Sequence, residues 1–389
     1  MKVLVIEDDK FTLNMAVKMF EGRGLTDVAT ATEGARALAE IDNSDGFDAI
    51  FCDLNMPRMD GVELLRHLAE RKCEAAIVLV SGEDERLLKS AEDLAAAHQL
   101  NVLGSIQKPI TPLKLQAMLD KVGSAVRKSV ERPPMESISE QELRSRMGDA
   151  VVPFFQPKVD TRTREVLGVE SLVRWRSPEG KIISPAAFVP IAEECGLIDE
   201  MTDGMIERSM DAAGHWREQG VNIKVSVNIS VVSLCRLHLP EYIVSCSEKT
   251  AFPHTQFMLE VTESRLMEDV AGPLEILTRL RMKDIGVSID DFGTGYSSMQ
   301  QLKRIPFSEL KIDRAFVHGA ARDTSARAIL ESSVELAKKL EISTVAEGVE
   351  DDEDWNLVAE VGCDMVQGYG VSRPMPGDEL VAWHSAWSS

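Results

Sequence analysis

Basic side chains are scarce in this chain: 43 Lys and Arg stand against 64 Asp and Glu over 389 residues, a net charge of −21. The deficit is spread, −7 over residues 1–124 and −15 over residues 148–389. Neither large segment therefore offers the cationic face that contacts to nucleic-acid phosphates require, which argues against a DNA-binding output. Paired cysteines are missing too. Cys52, Cys73, Cys195, Cys235, Cys246 and Cys363 are scattered, with no CxxC and no histidine at zinc spacing, so they read as buried thiols of a reducing compartment. Long apolar runs are also absent. No stretch reaches the ~18 residues of a bilayer span, and the apolar run in MKVLVIEDD is too short for a signal peptide, so a cytoplasmic protein with no membrane partner is expected.

What is present is ordinary globular composition, 44% hydrophobic and 28% charged. Because single cores rarely grow past ~250–300 residues, two domains are the default. Residues 1–122 alternate short apolar runs (KVLVI, DAIFC, AIVLV, NVLGSI) with amphipathic stretches, the pattern of a doubly wound parallel (β/α)5 sheet. Residues 125–147 turn polar and contain Pro133–Pro134, which predicts a linker between domains at 1–124 and 148–389. In the second domain eight apolar runs each end on a polar or ionisable residue: Gln156, Glu170, Asn228, Glu260, Asp290, Lys311, Glu347 and Gln367. With helical stretches between them, the template is a TIM-barrel-like (β/α)8 fold of ~250 residues, whose chemistry sits at strand carboxyl ends. An anionic substrate approaching so acidic a protein needs a local reversal of the field, which divalent metal supplies.

In the first domain, Glu7, Asp8, Asp53, Ser81 and Lys108 all fall at strand ends on one edge, where open parallel sheets bind ligands. Three carboxylates there suit Mg²⁺, and an Asp beside that ion can act as a nucleophile toward a phosphoryl group. The ordered strings VIEDD, CDLNMPRMDG, LVSGE and QKP resemble those of receiver domains. The resemblance implies Asp53 as phosphoacceptor, Glu7 and Asp8 as Mg²⁺ ligands, Ser81 as phosphoryl sensor, Lys108 as charge partner and a sensor histidine kinase as phosphodonor. Receivers often carry an aromatic switch residue where this chain has Ser105, so a side-chain swing is not the expected relay.

In the second domain, Glu170, Asn228, Glu260, Asp290 and Asp291 are oxygen donors with no histidine nearby, a set that selects Mg²⁺ or Mn²⁺ over zinc or copper. Two such ions would polarise a phosphodiester and activate water, with Lys311 orienting the attacking water. Taken singly, each carboxylate reads more readily as a satisfied barrel-rim charge; the set together does not. The loop DFGTGYSS, residues 291–298, has glycines permitting a tight excursion, and its kinase-like DFG lacks the strand and loop motifs that accompany it in kinases. The segments FFQPKVD, ESLVRW, FVPIAEECGLI, SVNIS, LEVTES, DDFGTGYSS, LKIDRAFV, AEGVE and QGYGVSRPM resemble EAL-domain phosphodiesterases in family order, with ESL in place of the signature EAL.

That resemblance implies hydrolysis of cyclic di-GMP to linear pGpG. Metal ligation falls to Glu170, Asn228, Glu260, Asp290 and Asp291, with Lys311 beside the catalytic water and Glu347 as general base or metal-linked carboxylate. Gln156, Leu172, Arg174 and Gln367 are implied substrate contacts, Glu263 the anchor of the 291–298 loop, and Glu350 a support from outside the site. Three readings compete: a phosphodiesterase controlled by phosphorylation of Asp53, a non-catalytic cyclic di-GMP receptor or protein-interaction module, and a carbohydrate-active barrel using a carboxylate pair. The filled metal set favours the first, and the Asn, Lys and adjacent Asp pair disfavour the last. No residues remain for a cyclase module, so degradation alone is expected. The phosphorylation signal is expected to pass through backbone shifts near 81–86 and 103–110. A homo-oligomer is expected as well.

Overall fold

A computed structural model of the chain describes residues 1–44, 46–83, 85–98, 100–131, 138–262, 271–294, 302 and 304–387. Two compact units emerge, Met1–Pro134 and Met135–Ser389. The first is a five-stranded parallel sheet of β1 (Val3–Ile6), β2 (Val28–Ala31), β3 (Ala49–Asp53), β4 (Ala76–Ser81) and β5 (Val102–Gln107), in the order β2-β1-β3-β4-β5. Its helices are α1 (Lys10–Glu21), α2 (Gly34–Asp42), α3 (Gly61–Glu70), α4 (Glu85–Ala97) and α5 (Pro112–Glu131). Strands β1, β3 and β4 are buried along their whole length because both faces are covered, which is why they read as continuous apolar runs. Leu4, Ile50 and Ile77 pack with α2, α3 and α4, while Val5, Phe51 and Val78 pack with α1 and α5. The strand order reverses between β1 and β3, so a crevice opens at their carboxyl ends.

The second unit begins with α6 (Glu140–Ala150) and closes a barrel of eight strands: β6 (Val151–Asp160), β7 (Val166–Arg176), β9 (Lys224–Asn228), β10 (Phe257–Thr262), β11 (Gly286–Phe292), β12 (Glu309–Ile312), β13 (Ser343–Ala346) and β14 (Met365–Val366). Short strands β8 (Ile182–Ile183) and β15 (Met375–Pro376) pair on β7 and β6. Around the barrel lie α7 (Val189–Glu194), α8 (Ile198–Glu218), α9 (Leu239–Thr250), α10 (Ala271–Met282), α11 (Thr324–Lys339), α12 (Asp352–Val361) and α13 (Leu380–Trp387). The regular (β/α)8 scheme needs one correction: β6 runs antiparallel to both β7 and β14. The connection from β6 to β7 is only residues 161–165, whereas a parallel crossover takes a dozen or more.

Three further expectations change. Gln156 and Glu170 lie mid-strand rather than at strand ends, since β6 and β7 continue past them as a hairpin. The stretch read as an irregular connector is helical at both ends, through α5 and α6. Ser139 caps α6 by accepting from the Glu142 N–H at 3.2 Å, and the helix buries Leu143, Met147 and Ala150 at helical spacing within an otherwise polar sequence. Among the cysteines, Cys52, Cys246 and Cys363 are buried, Cys73 and Cys195 half-buried and Cys235 exposed, all as free thiols. Among the described residues no helix is long and apolar enough to cross a membrane.

Candidate active site

At the carboxyl edge of the first sheet, Glu7, Asp8 and Asp53 bring carboxylate oxygens within 4.8 Å of one another. Glu7 and Asp53 are buried, and Asp8 is exposed. The Lys108 ammonium lies 2.8 Å from Glu7 Oε2 and 2.7 Å from Asp53 Oδ2. Burial pushes the Glu7 carboxyl above its usual range, opposed by its bond to Lys108 and reinforced by the charge of Asp53. Burial also disfavours the Lys108 ammonium, yet Asp53 and Glu7 outweigh it and hold that lysine more firmly protonated than usual. Ser81 ties β4 to this lysine: its carbonyl accepts from the Lys108 N–H at 2.7 Å, and its hydroxyl accepts from the Glu83 N–H at 3.1 Å. Ser105 sits half-buried on β5 opposite Leu79. All five residues expected at this edge are thus neighbours, and the cluster has the oxygen chemistry of a Mg²⁺ site.

The barrel holds a denser charge cluster. Side chains at alternate positions of a strand share a face, so Gln156 with Lys158, Glu170 with Leu172 and Arg174, and Glu309 with Lys311 follow one another on one side of their strands. Lys311, 1% exposed, places Nζ 3.1 Å from Glu170, 2.6 Å from Glu260, 2.9 Å from Asp290 and 2.6 Å from Glu347. Asn228 Nδ2 donates to Glu170 Oε1 at 2.6 Å, and Gln367 Nε2 donates to Glu170 Oε2 at 2.6 Å and to Gln156 Oε1 at 3.1 Å. Below, Lys158 bridges Glu260 and Glu309 at 2.7 Å each. Asp291 takes a left-handed backbone, φ 55°, and its N–H donates to Asp290 Oδ1 at 3.1 Å.

Among the described residues, six carboxylates (Glu170, Glu260, Asp290, Asp291, Glu309, Glu347) face two ammonium groups (Lys158, Lys311), an excess of four negative charges in a mostly buried volume. Burying unpaired charge is costly, so protons or cations must relieve it. Burial, with neighbouring carboxylates adding, raises the carboxyls of Glu170 and Asp290. Burial first, then the repulsion of Asp290 and Glu170 against the pull of Lys311, pushes Glu347 up to about 8. At Glu260 burial is outweighed by Lys158 and Lys311, which hold it at about 2. Two oxygen clusters, Glu170–Glu260–Asp290 and Asp290–Asp291–Glu347, each fit within 4.8 Å and share Asp290. A pair of hard cations could sit there with Asp290 between them.

A cavity of about 320 Å³ opens over this cluster, lined by Gln156, Leu172, Arg314, Gly348, Glu350 and Tyr369 among others. A second cavity of about 370 Å³, chiefly apolar, shares Leu172 with it and reaches Ile198, Met201, Met205 and Asn228. Arg174 stands further along β7, half-buried, and burial lowers the proton affinity of its guanidinium against the opposing pull of Tyr369 and Glu170. Glu350 lines the first cavity instead of standing outside it, with Arg314 at 2.8 Å. Glu263 and residues 295–298 lie outside the described residues. Lys158, Glu309, Arg314 and Tyr369 escaped the sequence reading. For the first two a signal existed, because each lies two residues from an expected site residue on the same strand.

Comparison with known proteins places these two clusters in company. The response regulator receiver domain model matches residues 3–120 and the EAL domain model residues 140–374. The chain is 31% identical over 388 residues, 99% of both chains, to the cyclic di-GMP phosphodiesterase RocR of Pseudomonas aeruginosa. It is 37% identical over 233 residues to the bifunctional diguanylate cyclase/cyclic di-GMP phosphodiesterase MucR of the same organism, 60% of this chain and 34% of that one. Among solved structures, the PaMucR phosphodiesterase in complex with c-di-GMP superposes with a TM-score of 0.59 at 35% identity, over 62% of this chain and 99% of the other.

Proposed function

This chain belongs to the EAL family, with a response regulator receiver domain ahead of its EAL domain, and on that premise we propose that it hydrolyses one phosphodiester of cyclic di-GMP to linear pGpG. The observation that carries this reading is the formal excess of four negative charges, which two divalent cations would neutralise. The donors are carboxylate and amide oxygens, a chemistry that fits Mg²⁺ or Mn²⁺. Glu170, Asn228, Glu260 and Asp290 would hold one ion, and Asp290, Asp291 and Glu347 the other. When bound, such ions polarise a phosphodiester and acidify water. Mg²⁺ at Glu7, Asp8 and Asp53 is the matching proposal for the receiver.

The chain's own residues supply the rest. Glu347, 2.6 Å from Lys311, would serve either as a ligand of the second ion or as the base that takes a proton from the attacking water, while Lys311 orients that water and balances developing charge. Among the described residues Gln367 Oε1 is buried without a hydrogen-bond partner, so it offers an acceptor to substrate, while Gln156 positions its amide. Arg174 brings forked donors for a phosphate, and Leu172 stands where the two cavities meet, the apolar one suited to a base. Glu263 anchors the 291–298 loop, and phosphorylation of Asp53 by a histidine kinase controls turnover in a homo-oligomer.

The test is product analysis. Purified, chelator-treated protein is incubated with cyclic di-GMP with and without Mg²⁺ or Mn²⁺, alongside Glu170→Ala. Formation of pGpG by the wild type only when metal is returned, and its loss in the folded variant, are expected. Nucleotide bound but uncleaved by the metal-loaded wild type would replace the hydrolase with a receptor.

A further inference from the structure

Beneath the catalytic cluster lies a buried ion pair that no step above uses. Lys158 on β6 and Glu309 on β12 are 4% and 5% exposed, and Lys158 Nζ lies 2.7 Å from both Glu309 Oε1 and Glu260 Oε1. Barrel interiors are usually filled by Val, Ile and Leu, and a buried ion pair is often no more stable than apolar residues of equal volume. Stability therefore leaves the pair unexplained. Its geometry is more informative: Glu260 has one oxygen on Lys158 and the other, Oε2, on Lys311 at 2.6 Å. Lys158 holds the oxygen on its own side, so the oxygen Glu260 turns toward the site is Oε2, which it shares with Lys311, in a rotamer fixed from both ends. Glu309 takes the second bond of Lys158 and cancels its charge, so that the lysine orients Glu260 without adding net repulsion toward the cation.

We infer that Lys158 and Glu309 are a neutral positioning pair that fixes Glu260 as a one-oxygen ligand and thereby sets the cation affinity of the centre. The inference rests on the metal-site reading given above. Outer partners that orient a ligand are commonly worth 10–100-fold in metal affinity. Removing both members together leaves the net charge unchanged and leaves Glu260 paired with Lys311, which separates positioning from simple destabilisation.

The experiment compares wild type, K158M/E309M and K158Q/E309Q, the first filling the volume with apolar atoms and the second keeping polar ones should the first not fold. All five tryptophans, Trp175, Trp216, Trp355, Trp383 and Trp387, lie in the second unit, so tryptophan-monitored melting of chelator-stripped protein against added Mn²⁺ reports binding at the barrel. The expected result is a Mn²⁺ midpoint raised roughly tenfold or more in the folded double variants, with KM for cyclic di-GMP and kcat at saturating Mn²⁺ within about twofold of wild type. An unchanged or tighter midpoint overturns the inference alone. Absence of any Mn²⁺ effect on the wild type overturns the metal-site reading and the inference with it.

Discussion

Replacing Glu347 by Gln should make the metal-free barrel lose less stability as pH rises. The Glu347 carboxyl is raised from 4.5 to about 8 in the folded chain, because burial and the charges of Asp290 and Glu170 outweigh the pull of Lys311. The folded state therefore keeps a proton that the unfolded state releases, and stability falls as pH climbs between those two values. Each pH unit inside the window costs about 1.4 kcal/mol for one proton, so the interval from about pH 5.5 to about 7.5 costs roughly 2–3 kcal/mol. Gln cannot make that exchange. Glu170 and Asp290 are raised in the same direction and give both proteins a residual slope, so the quantity to read is the difference between them. For a unit of this size it amounts to roughly 5–10 °C in Tm. Tryptophan-monitored melting of chelator-treated protein across that range is the assay. E347Q should gain on wild type as pH rises, and excess Mg²⁺ should flatten the wild-type slope by taking the proton's place. A gap that stays constant with pH would refute the assignment of a buried, protonated Glu347.

Lys311→Met leaves four carboxylates without their shared ammonium, so the metal-free barrel should lose roughly 3–5 kcal/mol and turnover should fall at least about 100-fold; wild-type melting in chelator would contradict this. Gly348→Ala places a Cβ at φ 67° against the side chain of Arg314, so turnover should drop about tenfold and barrel stability by about 1–3 kcal/mol, read by steady-state kinetics and melting. A phosphoryl donor or beryllofluoride should alter the turnover of wild type and leave Asp53→Asn unaffected; equal responses would show that the receiver does not act on catalysis through that residue.

Much of this was legible in sequence because the decisive residues sit beside apolar strands. Glu7 follows β1, Asp53 ends β3, and Asn228 and Lys311 close or nearly close their strands, so short runs flanked by ionisable groups marked both clusters. The direction of β6 was not legible from its own pattern, since an apolar strand reads alike both ways. Only the brevity of residues 161–165 carried it. Lys158 and Glu309 were passed over because a charge inside a strand reads as a solvated face until its partner is known, and Glu260 lies far from both in sequence. Nothing in AEGVE indicates that the turn at Gly348 brings Glu350 to the cavity wall.

The reversed first strand has a kinetic consequence. It pairs with β14 through Val159–Val366 and Asp160–Met365, and the same seam brings Gln156 Oε1 to Gln367 Nε2 at 3.1 Å across 211 residues of chain. During synthesis, β6 can form its hairpin with β7 early, but its other edge has no partner until residue 366 has cleared the ribosome. Until then β6 presents an open strand edge and the catalytic pocket lacks one wall. The nascent barrel is thus exposed to mispairing for most of its translation, and competence for catalysis arrives in a single late closure step rather than strand by strand.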